Sequence, residues 1–446
     1  MGRSAEIIIC GLVLGTAAVI YVMTQLLRAV VDQDRGGAND GLFGELEDSW
    51  LFRLSLNLLG YATIIVPGFL IYKYVKKTNY LERTGPSCFA GLVRLCLAGP
   101  DTPGAGEGPV QQTQKAYSTM QQVILLMFCF LGLQLTYLTW GLLQEKIMTR
   151  EYESAEGAKG NFKDSQFLVF VNRILAFTLS GTYVLVARQP RHTAPLYKYV
   201  YCSFSNIMSS WCQYEALKYV SFPTQVLAKA SKIIPVMIMG KFVSRRKYEF
   251  YEYVTAVFIS LGMALFMFGS SDHTTDTGVT TLSGLVLLAA YMAFDSFTSN
   301  WQGELFNQYA MSSVQMMCGV NLFSCLFTAV SLVQQGGFAH SLRFMAQFPK
   351  FSLDCIVLSL CSAAGQLFIF FTIAVFGPVV FVIIMTVRQG LAILLSCLIY
   401  QHHMSAVGAV GVVTVFLSVF LRIYCSQRLK ATRSRHAQSP LVSGKV

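Results

Sequence analysis

Twelve stretches of this chain stay apolar for roughly twenty residues each, and no other feature narrows the possible folds so far. About 20 such residues in a helix cross about 30 Å of hydrocarbon. Two stretches stand apart at the N-terminus, residues 6–27 and 54–72. Ten follow closely, at 123–143, 167–187, 197–219, 224–243, 251–270, 282–301, 313–333, 353–374, 379–400 and 405–425. The expected fold is therefore an all-α polytopic membrane protein with a ten-helix core and one or two extra N-terminal spans.

Composition closes the soluble alternative. A chain of 446 residues has room for about three soluble domains, but only 13% of its residues are charged, against 54% hydrophobic. Soluble domains carry about 25% Asp, Glu, Lys and Arg, so there is too little charge here to clothe a water-facing surface. The excess of 34 basic over 23 acidic residues is read as topology rather than as affinity for nucleic acid, because Lys and Arg at span ends mark the cytoplasmic side. One set of alternate loops holds Lys76, Lys77, Arg83, Arg94 and Lys115, then Arg188, Arg191 and Lys198, then Arg245, Arg246 and Lys247, then tail residues Arg428, Lys430, Arg433 and Arg435. With that side cytosolic and the first stretch uncleaved, both termini face the cytosol. Arg3 ahead of residues 6–27 also suits a signal peptide, but the apolar run exceeds the 7 to 15 residues of a typical signal core, which favours a retained span.

The expected organisation is an N-terminal extension (1–119), a first five-helix set (120–270), a second (282–425) and a cytosolic tail (426–446). Residues 32–48, rich in Asp, Glu and Gly, and residues 99–116, rich in Gly and Pro, read as linkers. FPTQVLAKASK at 222–232 and FGPVVFVIIMT at 376–386 each place a helix-breaking turn before the fourth span of their set. Five spans is an odd number, so the second set inserts upside down, and inverted repeats of this kind place a site near the midplane, reached alternately from each side. The twelve cysteines form no CxxC pair and most lie in apolar stretches, as expected of small weakly polar side chains at helix contacts.

Charge inside a span costs at least about 2.5 to 3.5 kcal/mol and calls for a reason. Lys229 and Lys232, three apart on one face of the fourth core span, and Arg388 in the ninth are the main instances. Two cationic elements from corresponding helices suit a multiply charged anion, and the forked guanidinium suits phosphate or sulfate. The competing reading is that these cations snorkel to an interface or pair with buried acids, which for Lys229, near its span's start, is equally open. Pro235, one turn on, is expected to let the helix bend. Glu215 with Lys218 reads as a local ion pair; Arg173 and Asp295 stand isolated, open to either a structural or a site role.

Amides and aromatics that suit a purine recur nearby: Gln134, Tyr137 and Trp140 in the first core span, Gln213 and Tyr214 in the third, Asn321 in the seventh, Gln366 in the eighth, and Thr386 and Gln389 beside Arg388. Rings stack on bases and amides pair with base edges, while ordinary interhelical bonding explains any one of them equally well. GxxxxGK[ST], HExxH and GxSxG are all missing, so neither a catalytic centre, a metal site nor a cofactor is expected.

PTQVLAKASKIIPVM at 223–237 resembles the PTQVL-x-K-xx-K-x-IPVM pattern of the nucleotide-sugar transporter family, within the drug/metabolite transporter superfamily. The likeness runs from about residue 49 to the tail. That pattern belongs to the branch carrying UDP-galactose-like and sulfonucleotide substrates. SSWCQYEALKYVSFPTQVLAKASK, YLTWGLLQEKIMTR at 137–150, AFDSFTSNWQ at 293–302 and SSVQMM at 312–317 are similar to members that carry adenosine 3′-phospho 5′-phosphosulfate (PAPS). The resemblance implies import of PAPS from cytosol to Golgi lumen for sulfotransferases, with exchange for an adenosine nucleotide such as adenosine 3′,5′-bisphosphate, in the lipid bilayer and without nucleic acid; self-association stays open. A UDP-sugar transporter, and a membrane-embedded transferase, are the alternatives.

Overall fold

The computed structural model describes residues 2–35, 50–83, 87–98, 118–149, 151–153, 159–162, 164–189, 194–216, 219–220, 229, 231–270, 282–309, 311–335, 337–399 and 406–438. Fifteen helices and one small hairpin account for nearly all of them. In chain order these are α1 (Gly2–Arg35), α2 (Trp50–Thr78), the single turn α3 (Tyr80–Arg83), α4 (Cys88–Leu97) and α5 (Thr119–Thr149). An antiparallel pair, β1 (Glu151–Glu153) and β2 (Lys159–Asn161), sets Tyr152 opposite Gly160. Then come α6 (Ser165–Val186), α7 (Tyr197–Ala216), α8 (Ile233–Val243), α9 (Phe250–Ser270), α10 (Leu282–Gln308), α11 (Ser313–Gln335), α12 (Gly337–Gln347), α13 (Pro349–Phe376), α14 (Pro378–Ile399) and α15 (Ala406–Gln438).

Among the described residues, eight helical segments are long and apolar enough to cross a bilayer: Glu6–Leu26, Asn57–Thr78, Met120–Gln144, Gln166–Val186, Leu282–Gln308, Ser313–Val333, Pro349–Phe376 and Ala406–Ser426. The expected spans at 224–243, 251–270 and 379–400 are represented by shorter apolar segments, Ile233–Val243, Phe250–Phe266 and Pro378–Arg388. Large apolar side chains cover the outside while several polar ones are buried among an apolar core. Leu185, Phe242 and Leu282 are nearly four-fifths exposed, whereas Ser296, Asn300, Asn321 and Ser324 are fully buried, as lipid outside and polar contacts inside require. The chain is an all-α polytopic membrane protein.

The expected span at 197–219 is helical as α7 but too polar to qualify on composition. Its hydroxyls are spent inward on neighbouring carbonyls: Ser203 donates to Val320 O at 2.8 Å and Ser205 to Phe294 O at 2.6 Å. Two boundaries also differ from expectation. Helix α1 runs on to Arg35, taking Asp32 and Asp34 out of the supposed linker, and α15 runs to Gln438, well into the expected tail. No Gly or Pro interrupts 427–438, and the helix stops shortly before Pro440, whose ring disfavours helix in the residue preceding it. Residues 36–49 and 99–117, which hold the rest of the two linkers, lie outside the described residues.

The chain divides into two compact units, residues 1–115, 135–204 and 307–370, and residues 116–134, 205–306 and 371–446. Each draws on chain from both sides of residue 275. In the first, α11 packs on α2 and α6, and α1 on α2. A cluster of Ile147, Tyr152, Phe162, Phe167, Phe348 and Phe351 ties the hairpin to α12 and α13. Asp354 anchors it, meeting Lys146 Nζ at 2.8 Å and accepting from the Tyr152 hydroxyl at 2.9 Å.

In the second unit α8 packs on α14, and α9 lies along α15. The latter pair approaches backbone to backbone: a Cβ on Gly411 would fall 2.5 Å from Gly262 O and 2.3 Å from Phe266 N. Replacing Gly411 by Leu is therefore expected to force the two helices apart, at about 1 to 3 kcal/mol or more. Thermal unfolding of the detergent-purified chain reads this as a clear fall in Tm; an unchanged Tm would show that the contact carries no stability.

Candidate functional site

The charged candidates sit where helices are interrupted. Lys229 is helical, Ser231 and Lys232 form a turn, and α8 begins at Ile233 with Lys232 as the residue that caps it. Backbone bonding changes register there. Lys232 N–H reaches Lys229 O at 3.4 Å and Ile234 N–H reaches Ser231 O at 3.3 Å, whereas Val236 N–H reaches Lys232 O at 3.1 Å. Pro235 is consequently the third residue of a new helix, where its missing N–H would have had no intrahelical acceptor. This corrects the expectation of a proline bend within a continuous helix. Lys229 and Lys232 instead stand just before and at the start of α8, where the N–H groups of Lys232 and Ile234 are already taken by Lys229 O and Ser231 O and Pro235 has none.

The second interruption has a well-defined cause. Gly377 takes φ +85°, closes α13 through its N–H to Ile373 O at 3.0 Å, and offers its carbonyl to Phe381 N–H at 3.2 Å. Pro378 then occupies the first position of α14, where its fixed φ suits a helix start. A side chain on Gly377 would be strained by that φ and would approach the Arg246 guanidinium to 3.1 Å. The break expected at 376–378 is thus present, while most of its expected counterpart, 221–228, lies outside the described residues.

Helix α14 carries Thr386, Arg388 and Gln389. Thr386 is buried and its hydroxyl donates to Val382 O at 2.9 Å, which leaves only its lone pairs for another partner. Arg388 is half-buried, and Lys229 lies within electrostatic reach of both Arg388 and Lys232. The Gln389 side chain lies outside the described residues.

Helix α10 supplies what sequence reasoning left isolated. Asp295 forms an ion pair with Lys232, with 24% and 17% of the respective side chains exposed. One turn further along both helices, the fully buried Asn300 amide donates to Val236 O and to Ser296 O, each at 2.9 Å. Next to it, Gly240 leaves room for Asn300 Oδ1 and the Tyr248 hydroxyl, which a Cβ there would meet. The pairing reading therefore applies to Lys232, through an acid from another helix. No pattern within the fourth span signals Asp295; only its cost as an unexplained acid in an apolar stretch singles it out.

The uncharged candidates divide between the units. Gln134, Gln213 and Tyr214 belong with the cations. Gln134 Oε1 is buried with no hydrogen-bond partner among the described residues, and Gln213 is half-buried. The Tyr214 side chain lies outside the described residues, as does Lys218, the expected partner of buried Glu215. Asn321, Tyr137 and Gln366 belong to the other unit, as does Arg173, half-buried on α6. The Asn321 amide donates to Gln366 Oε1 and to Met317 O, both at 2.8 Å, so interhelical bonding accounts for its NH2, while its Oδ1 is buried with no hydrogen-bond partner among the described residues. Tyr137 meets the Trp140 ring edge-on at 6.2 Å and presses on Gly365, where a Cβ would stand 3.2 Å from its ring.

Comparison with known proteins follows the same lines. Residues 125–426 match the model of the UAA transporter family. A Drosophila melanogaster protein named adenosine 3′-phospho 5′-phosphosulfate transporter 1 is 54% identical, covering 98% of this chain and 97% of its own. The Homo sapiens protein of the same name is 54% identical over 85% and 88% of the two chains. An Arabidopsis thaliana UDP-galactose/UDP-glucose transporter 5B is 37% identical over 70% and 90%.

Proposed function

The chain belongs to the UAA transporter family, and we propose that it carries PAPS from the cytosol across the Golgi membrane, in exchange for an adenosine nucleotide such as adenosine 3′,5′-bisphosphate. It is a transporter and not an enzyme. What supports the substrate assignment is that Lys229, Lys232 and Arg388 lie in one unit, with Lys229 within electrostatic reach of the other two. PAPS bears several negative charges, more than the diphosphate of a UDP-sugar, and cations in a low-dielectric setting match its phosphates and sulfate. Likeness over almost the whole chain to relatives named for this substrate supports the same reading.

Helices interrupted near Lys232 and at Gly377 suit a carrier built of two inverted five-helix repeats with its site at the midplane. Among the described residues, Asp295 pairs with Lys232 in the same unit as Lys229 and Arg388. Cations gathered to hold a nucleotide anion are costly to carry across the membrane without one, which favours exchange over net flow.

Liposomes containing only the purified chain test this. Labelled PAPS is expected to accumulate intact, several-fold faster when adenosine 3′,5′-bisphosphate is inside. UDP-galactose is expected to compete weakly, since its diphosphate offers less charge. Preferential uptake of UDP-galactose would favour the reading suggested by the Arabidopsis relative, and a chemically altered product would reveal a transferase.

A further inference from the structure

We propose that Asp295 is an internal counter-anion: in the nucleotide-free protein it occupies the Lys232 ammonium, and an anionic group of the nucleotide takes its place on binding. The proposal rests on the nucleotide-carrier reading above and assigns a residue that sets affinity at that site. Lys232 stands at the N-terminus of α8, and Asp295 reaches it from α10, 63 positions later in the chain. Both side chains are partly buried, so the pair carries a desolvation cost. Nor does the α8–α10 contact depend on it. Asn300 already ties the two helices one turn along, through Val236 O at 2.9 Å, beside the close approach at Gly240.

A carboxylate presents to an ammonium the same acceptor oxygens as a phosphate or sulfate, so the two compete for Lys232. When the nucleotide wins, Asp295 is left as a negative charge beside the bound anion. That weakens the complex and speeds release. In the empty carrier Asp295 screens the Lys232 ammonium. The acid therefore lowers affinity and eases reorientation together.

The experiment compares the full-length parent with Asp295→Asn and Lys232→Gln, measuring adenosine 3′,5′-bisphosphate binding by calorimetry in detergent and uptake in liposomes. If Asp295 occupies Lys232 in about nine of ten empty molecules, Asp295→Asn binds about tenfold more tightly, because that competition is removed. Net PAPS uptake into empty liposomes falls, while exchange into loaded ones falls much less. Lys232→Gln weakens binding. An Asp295→Asn affinity equal to the parent's, or weakened as in Lys232→Gln, overturns the proposal and makes Asp295 a residue that only orients Lys232. Should Asp295→Asn not be recovered folded alone, the proposal expects recovery when the bisphosphate is present during extraction, and expects Lys232→Gln/Asp295→Asn to fold without it. Failure of both overturns it. A parent that binds UDP-galactose but not the adenosine bisphosphate would instead overturn the substrate reading, and the Asp295 comparison is then read with UDP-galactose.

Discussion

Lys232→Ala and Arg388→Ala are each expected to cut PAPS uptake by at least about thirtyfold at equal protein level, the equivalent of about 2 kcal/mol and the low end for removing one member of a buried charge pair. For Lys232 the loss is twofold in kind. The substrate anion loses its ammonium, and Asp295 loses its partner. The local charge falls by one cation while the acid stays. Removing the acid as well, in Lys232→Ala/Asp295→Ala, is therefore expected to regain part of the uptake. Arg388→Lys keeps the charge but not the fork, and is expected to recover only in part. Uptake in proteoliposomes at matched incorporation measures all four; parental rates in either single Ala variant would place the anion elsewhere.

The second large effect concerns the 3′-phosphate. A cation left facing an empty position is penalised by about 2 to 5 kcal/mol in comparable truncations. If one of Lys229, Lys232 and Arg388 is dedicated to that group, adenosine 5′-phosphosulfate, which lacks it, competes at least tenfold more weakly than PAPS or the bisphosphate. Substituting the dedicated cation by Gln narrows the gap, because PAPS loses more than the truncated ligand does. The pairing of Lys232 with Asp295 sharpens this expectation. A ligand short of one phosphate leaves Lys232 its carboxylate to return to, so the penalty is smaller there than at Lys229 or Arg388. The steepest narrowing is accordingly expected from Lys229→Gln or Arg388→Gln. Equal competition by both ligands in the parent would leave the cations with only a general attraction for anions.

Much of this protein is written locally. Runs of some twenty apolar residues admit only a helix in hydrocarbon, because no water is there to satisfy a broken backbone bond. Gly377 followed by Pro378 encodes its own helix break, since the first accepts a positive φ and the second starts a helix. Lys229, Lys232 and Arg388 announce themselves by their cost in such runs. Tertiary structure decided the rest, for reasons of distance along the chain and of packing. The polar α7 is a core helix only because carbonyls of α10 and α11 accept its hydroxyls. Pro235 lies in a helix's first turn because the chain restarts at Ile233, a point that apolar periodicity runs straight through. The Asn321 NH2 finds Gln366, 45 positions away, and Lys232 finds Asp295 on another helix. An ionised side chain proclaims in sequence that it needs a partner, but the identity of that partner depends on which helices pack together. That choice is made by small residues, buried amides and shape spread over the whole chain, and no local pattern contains it.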